Sequence, residues 1–265
     1  MEFETLIYQR RDQIAYVTLN RPERLNALNA RLAADLLAAA RLIEGDAEIR
    51  AVLLGAAGRA FCSGADLMSE DLSSDRSLGE VVGASLRDNL NPMIHAWYHL
   101  AMPVVVAVNG VAAGAGMSLA LIGDVVVAAE SASFVQLFAP KVGLMPDLGS
   151  TFYLPRIVGS ARAKGLALLG EPLSAPQAER WGLIWASVPD AALAERAEAL
   201  VRRFATGPTQ AFKRIKRVFN EEPAATLAEQ LTLEARLQVE LAESRDFAEG
   251  VLAFRGKRPP RFSGA

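Results

Sequence analysis

Two glycine-punctuated turns and one isolated acid are the residues of this chain whose types and spacing could do chemistry. The first turn is Gly55-Ala56-Ala57-Gly58-Arg59-Ala60-Phe61-Cys62-Ser63-Gly64-Ala65-Asp66-Leu67, and the second is Asn109-Gly110-Val111-Ala112-Ala113-Gly114-Ala115-Gly116-Met117-Ser118. Each is an apolar, strand-like run that breaks into small residues, which leaves main-chain N–H groups able to face a pocket. Amide donors fixed in place stabilise developing negative charge without reorganising, so such a pair could hold a carbonyl oxygen as it becomes an enolate. The acid is Asp147, in Gly143-Leu144-Met145-Pro146-Asp147-Leu148-Gly149-Ser150-Thr151, with apolar neighbours and no adjacent cation. Burial there would raise its pKa by desolvation and suit it to take and return a proton near neutrality. The competing role is an N-cap for a helix beginning near Gly149. Beside two donor turns, proton transfer is the favoured reading.

The elements that must position these residues follow from periodicity. Ile14 to Leu19 and Ala51 to Leu54 read as strands, and Ala30 to Ile43 reads as a helix with Leu32, Leu36, Leu37 and Leu42 on or near one face. Residues 68–80 read as an exposed loop leading into a helix from about Leu78 to Leu100, kinked at Pro92. Val104 to Val108, Val125 to Ala129 and Ala132 to Val135 supply further strands, the first of a type buried on both faces. After Pro189 the pattern becomes helical over 191–206, 208–220, 226–243 and 246–254. These imply an α/β core over 1–195 and a helical region over 196–265. The apolar faces of that region, among them Phe212, Ile215, Phe219, Leu231, Phe247 and Phe254, either pack on a neighbouring subunit or cover the core; both remain open.

A chain of 265 residues can bury a sizeable core. With 28 Lys and Arg against 30 Asp and Glu, its net charge of -2 gives no global reason to expect nucleic acid or an anionic membrane as partner. Cys62 is the single cysteine, which excludes an intramolecular disulfide and fits a reducing compartment. The acidic start, Met1-Glu2-Phe3-Glu4, lacks the features of a secretory signal, so the cytoplasm is the expected location. Residues 101–123 carry no charge, but Pro103, Asn109, Gly110, Gly114 and Gly116 interrupt them, which favours a buried strand, turn and helix over a membrane span.

Other chemistries are weaker. His95 and His99 have the i, i+4 spacing of half a zinc site, yet they are the only histidines and no glutamate lies between them, so no metal is expected. Gly116-Met117-Ser118-Leu119-Ala120 is one residue from a nucleophile elbow, but Ser118 lacks a suitable histidine base. The same stretch lacks the third glycine of a dinucleotide fingerprint. Cys62 reads as a small buried residue and Asp66 as turn chemistry. Arg59 and the cluster Arg255, Lys257, Arg258 and Arg261 could serve ligand phosphates or simply be solvated.

Val17-Thr18-Leu19-Asn20-Arg21-Pro22-Glu23-Arg24-Leu25-Asn26-Ala27-Leu28, the Phe61–Leu67 turn, the Asn109–Ala120 segment and the stretch from Glu249-Gly250-Val251 through Phe254 to Lys257-Arg258 together resemble the crotonase (enoyl-CoA hydratase/isomerase) superfamily. The resemblance implies a ClpP-like spiral of ββα units, a C-terminal helical oligomerisation region, and homotrimers that can pair into hexamers. It implies an acyl-CoA thioester as ligand, with CoA part of the substrate and no separate cofactor. Carried over, the oxyanion donors fall on the N–H groups of Ala65 and Ala115. Arg24, Leu25, Ala27, Ala60, Ser63, Gly64, Asp66, Leu67, Val111 and Gly114 would line the CoA and thioester path, with Phe254 and Lys257 at the nucleotide end.

Hydratases of this superfamily place one glutamate just after the second turn and another further on, to handle water. Here Ser118 occupies the first place, and the second falls near Leu137, Phe138 or Ala139. Asp147 instead resembles the single acid of the subgroup containing ring-1,2-epoxyphenylacetyl-CoA isomerases and 3-enoyl to 2-enoyl-CoA isomerases. The expectation is therefore an acyl-CoA isomerase; the alternatives are an enoyl-CoA hydratase and a non-catalytic acyl-CoA-binding subunit.

Overall fold

The computed structural model describes residues 2–66, 77–221 and 226–265. Alternating apolar residues put Leu6–Arg11 (β1) and Ile14–Leu19 (β2) into an antiparallel hairpin, and β2 then pairs in parallel with Ala51–Ala56 (β3). From β3 to β8, successive strands part company. Ala60–Cys62 (β4), Val111–Ala113 (β6) and Ser133–Val135 (β8) form a small sheet with Leu173–Ser174 (β9), whereas Val104–Val108 (β5), Val125–Ala129 (β7) and Ala186–Val188 (β10) extend the large one. The orders are β1-β2-β3-β5-β7-β10 and β4-β6-β8-β9. Three times over, the chain lays one strand in the large sheet and the next in the small sheet, so each turn of the spiral widens both.

The β-branched run of β5 is buried at Val104, Val105, Val106 and Val108, as a strand covered on both faces must be. Helix α1, Ala30–Gly45, is capped by the Asn29 side chain, which accepts from the Leu32 N–H, and it buries Leu32, Leu36 and Ile43. The helix expected from Leu78 to Leu100 runs as α2 (Leu78–Ala84), a π-helical turn (Ser85–Leu90) and α3 (Asn91–Tyr98). This wider turn lies just before Pro92, where a kink is expected, and accommodates a residue that cannot donate to the preceding turn. Most of the loop expected over 68–80 lies outside the described residues.

The uncharged stretch from 101 to 123 folds as β5, β6 and the short helix α4, Ala115–Ala120, whose six residues are all buried. Beyond it lie α5 (Ser150–Leu169) and α6 (Ala175–Arg180), then α7 (Leu193–Ala205), α8 (Thr209–Asn220), α9 (Leu227–Ala242) and α10 (Arg245–Arg255). The 195/196 position falls inside α7, whose Ala197, Leu200, Val201 and Ala205 are part of the central core. In contrast, α9 buries none of its residues within the chain. Buried Arg50 fastens the start of the helical region by donating to the Thr209 hydroxyl at 2.6 Å and to the Gly207 carbonyl. No helix of the described residues is long and apolar enough to cross a membrane.

Candidate active site

Parallel pairing of β4 with β6 places the two glycine turns side by side, with Ala60 opposite Val111 and Cys62 opposite Ala112. The backbones approach so closely that only glycine fits at two points. A Cβ on Gly116 would lie 2.1 Å from the Cys62 carbonyl oxygen, and one on Gly64 would lie 2.9 Å from the Ala113 oxygen and 3.7 Å from the Ala115 nitrogen. Gly64, at φ +102°, and Gly114, at φ +50°, also occupy conformations that L side chains rarely adopt. The residues following these two glycines are Ala65 and Ala115.

Leu28 brackets Ala65: its N–H donates to the Gly64 carbonyl and its own carbonyl accepts from the Asp66 N–H, both at 2.8 Å. In such parallel pairing the Ala65 N–H points away from Leu28. Ala115 is the first residue of α4, where an amide has no partner in its own helix. Among the described residues neither N–H donates to another protein group.

The Arg24–Ala27 loop is laid against the first turn. Ser63 N–H donates to the Leu25 carbonyl at 3.0 Å, and Leu25 and Asn26 both have positive φ. Fully buried Asn26 holds this arrangement: its amide donates to the carbonyls of Ala57 and Ala60 and its oxygen accepts from the Arg21 N–H at 2.8 Å. Asn26 was only part of a resemblance motif in the sequence; its neighbours' left-handed turn leaves no simple periodic signal. Asp66, expected to serve its own turn, pairs with Arg21 at 3.0 Å. Thus Leu25, Ala27, Ala60, Ser63, Gly64, Ala65 and Asp66 are brought together with Gly114 and Ala115, while Arg24 is exposed beside them. Val111 is an exposed residue at the start of β6, and Leu67 lies outside the described residues.

Asp147 precedes α5, and the N-cap role considered for it is not the one it plays. Gly149 occupies the cap position, without a side-chain cap bond. The Asp147 Oδ1 atom is instead buried with no hydrogen-bond partner. Desolvation raises the carboxyl from the ordinary 3.8 to about 6, with its own main-chain N–H pulling weakly the other way. Its main chain is tied to α4: the Ser118 hydroxyl is 3.1 Å from the Asp147 carbonyl oxygen. Tyr153 pins the next residue by donating to the Leu148 carbonyl at 2.5 Å. Of Leu137, Phe138 and Ala139, it is Phe138 whose ring abuts the second turn, 3.5 Å from where a Gly114 Cβ would stand.

The C-terminal candidates are elsewhere in the chain. Phe254 is 86% exposed and lines a separate cavity of about 410 Å³ with Phe247 and Phe262. Lys257 follows α10, at φ +49°. Arg258 is committed to Glu249 through two contacts of 2.6 and 2.8 Å, which hold that carboxyl down at about 2. Cys62 is buried and its thiol is pushed up to about 12 by desolvation, so it stays protonated. His99 pairs with Glu221 at 2.7 Å, and no three His, Cys, Asp or Glu among the described residues are grouped to hold a metal ion.

A family model described as Enoyl-CoA hydratase/isomerase matches residues 9–265. The chain belongs to the enoyl-CoA hydratase/isomerase family. A Rhodobacter capsulatus protein named "Probable enoyl-CoA hydratase" is 47% identical over 264 residues, covering 100% of both chains. The 1,2-epoxyphenylacetyl-CoA isomerase of Escherichia coli K12 is 48% identical over 248 residues, 94% of each chain. Among solved structures, an enoyl-CoA hydratase from Bacillus anthracis superposes with a TM-score of 0.90 at 30% identity, covering 99% of this chain and all of that one. The split-sheet spiral with its C-terminal helices is thus the crotonase fold, and membership in this family makes the protein an acyl-CoA-processing enzyme.

Proposed function

We propose that this family member is an acyl-CoA isomerase in which the Ala65 and Ala115 amides grip the thioester oxygen while Asp147 relocates a proton. The observation that carries this reading is the Asp147 carboxyl: one oxygen buried and unpaired, a pKa of about 6, and a main chain tied to the helix that begins at Ala115. A carboxyl poised there can remove a proton beside an enolate-forming thioester and return it at a conjugated carbon. Each amide contributes about 10²–10³ in rate by analogy with oxyanion donors elsewhere. The substrates we propose are ring-1,2-epoxyphenylacetyl-CoA, after the Escherichia coli relative, and 3-enoyl-CoA thioesters.

The buried Phe138 ring beside Gly114 and the serine at position 118 support isomerisation over water addition, since neither side chain is a carboxylate. The name of the Rhodobacter capsulatus relative favours the second reading, hydration. We propose a trimer, alone or paired into a hexamer, because Phe219, Leu227 and Leu231 of α8 and α9 stand exposed in the single chain. Cytoplasmic location and CoA as part of the substrate, with no separate cofactor, complete the proposal.

The test is Asp147→Asn assayed on epoxide, 3-enoyl-CoA and 2-enoyl-CoA substrates, with products identified by mass spectrometry. Loss of isomerised product with CoA-thioester binding retained is expected. Unchanged isomerisation refutes the role of the acid; a hydrated product from the wild type as the main outcome establishes the hydratase; binding without any product establishes the non-catalytic subunit.

A further inference from the structure

Ser118, Ser150 and Gln136 are wholly buried polar residues that no helix cap or strand pairing requires. They form one chain of contacts. Gln136 Nε2 donates to Ser150 Oγ at 3.0 Å; Ser150 Oγ and Ser118 Oγ are 2.5 Å apart; and Ser118 Oγ reaches the carbonyls of Asp147 at 3.1 Å and Gly114 at 3.3 Å.

Proton counting gives this chain a direction. Each hydroxyl carries one proton, and the two carbonyls can only accept. With the Gln136 amide filling a lone pair of Ser150, the Ser150 proton has Ser118 Oγ as its acceptor, which frees the Ser118 proton for the carbonyls. In this orientation of the Gln136 amide, whose Oε1 has no hydrogen-bond partner among the described residues, the reverse order would leave the Ser150 proton without an acceptor. Hydrogen bonds running in one direction reinforce one another in a dry interior.

The two ends of the chain matter chemically. The Gly114 carbonyl, in the same peptide unit as the Ala115 N–H, accepts from the Met117 and Ser118 N–H groups at 3.0 and 3.1 Å, and the Ser118 hydroxyl at 3.3 Å adds a longer third contact that polarises this peptide further. The Asp147 carbonyl also accepts the Ser150 N–H at 3.0 Å, so two donors hold the main chain that presents the acid. Asp147 and Ala115 are remote in sequence, and Ser118 is the side chain that joins them.

We propose that Ser118, fed by Ser150, is a positioning residue that fixes the Ala115 amide and the Asp147 main chain in one arrangement for isomerisation. This rests on the catalytic reading above, in which Ala115 and Asp147 act on the same thioester. The experiment compares Ser118→Ala, Ser150→Ala and the double variant with Asp147→Asn, using steady-state kinetics on the isomerised substrate and a thermal melt of each protein. Ser118→Ala is expected to lose about tenfold in kcat, one good hydrogen bond's worth, and Ser150→Ala a smaller part of that, since the Ser118 hydroxyl keeps the carbonyls as acceptors; KM stays within twofold of wild type in both. The double variant is expected to match Ser118→Ala, because without the Ser118 hydroxyl Ser150 has no remaining link through it to the two carbonyls.

An unchanged kcat in either folded single variant, a loss borne by KM instead, or additive losses in the double variant overturns the proposal. Should Ser118→Ala fail to fold, Ser150→Ala, which leaves the Ser118 hydroxyl in place, decides alone by its kcat. If Asp147→Asn keeps full activity, the catalytic reading is what has failed; if it is inactive while the serine variants are normal, only the positioning role falls.

Discussion

Asp147→Asn should make this protein more stable at pH 8 and leave it nearly unchanged near pH 4. The folded-state pKa of Asp147 is raised, from 3.8 to about 6, so the native protein binds this proton more tightly than the unfolded chain does. The resulting stabilisation is fully present below pH 3.8 and is lost as pH rises through about 6. Above that, the native state must hold a charged, partly dehydrated carboxylate. A displacement of roughly two pH units at ~1.4 kcal/mol each amounts to ~3 kcal/mol, and the residue's partial contact with solvent trims this to ~2 kcal/mol. Asparagine is neutral at every pH, so it removes that penalty. Urea unfolding of both proteins at one protein concentration, at pH 4 and pH 8, measures the difference; concentration must be fixed because assembly adds to apparent stability. A variant that is equally or less stable than wild type at pH 8, or one whose advantage is the same at both pH values, would refute the electrostatic reasoning. The same acid predicts an acidic limb near pH 6 in the kcat/KM of the wild-type enzyme.

Three further outcomes follow from the packing. Gly116→Ala forces a methyl to 2.1 Å from the Cys62 carbonyl and should cost more than ~3 kcal/mol, read as a collapse of soluble yield or a large fall in the urea midpoint. Asn26→Ala leaves the Ala57 and Ala60 carbonyls and the Arg21 N–H short of a partner, at ~1–3 kcal/mol for each buried group; equal urea midpoints would contradict it. Cys62 should resist a thiol reagent at pH 8 in the native protein and react on unfolding, followed by absorbance of the released thiolate.

β2, β3, β5, β7 and β8, the first helix and the four C-terminal helices were legible because their apolar periods are strong and their ends carry Pro, Asn or Gly, whereas the mostly exposed β1 and the two- and three-residue β9 and β10 show no such period. The turns were legible for a different reason: backbone crossings that exclude a Cβ leave glycine as a visible trace, as at Gly64 and Gly116. Asp147 stood out as a lone acid among apolar residues, but whether it capped a helix depended on where α5 begins, a matter of one or two residues that propensity does not resolve. The Ser118–Ser150–Gln136 chain left no trace, since small polar residues far apart in sequence have no period in common. Pro92 marked this stretch of helix, but nothing in the sequence signals the π-helical turn just before it.

The neighbouring placement of β4 and β6 has a geometric result for the pocket. The nearness of the two turns, with a Cβ on Gly64 only 3.7 Å from the Ala115 nitrogen, is set by the pairing of neighbouring strands and not by the length of chain that separates them. Two donors one strand apart can close on a single oxygen from both sides. In the proposed enzyme, substitutions in the chain between β4 and β5 would leave this spacing of the two amides unchanged.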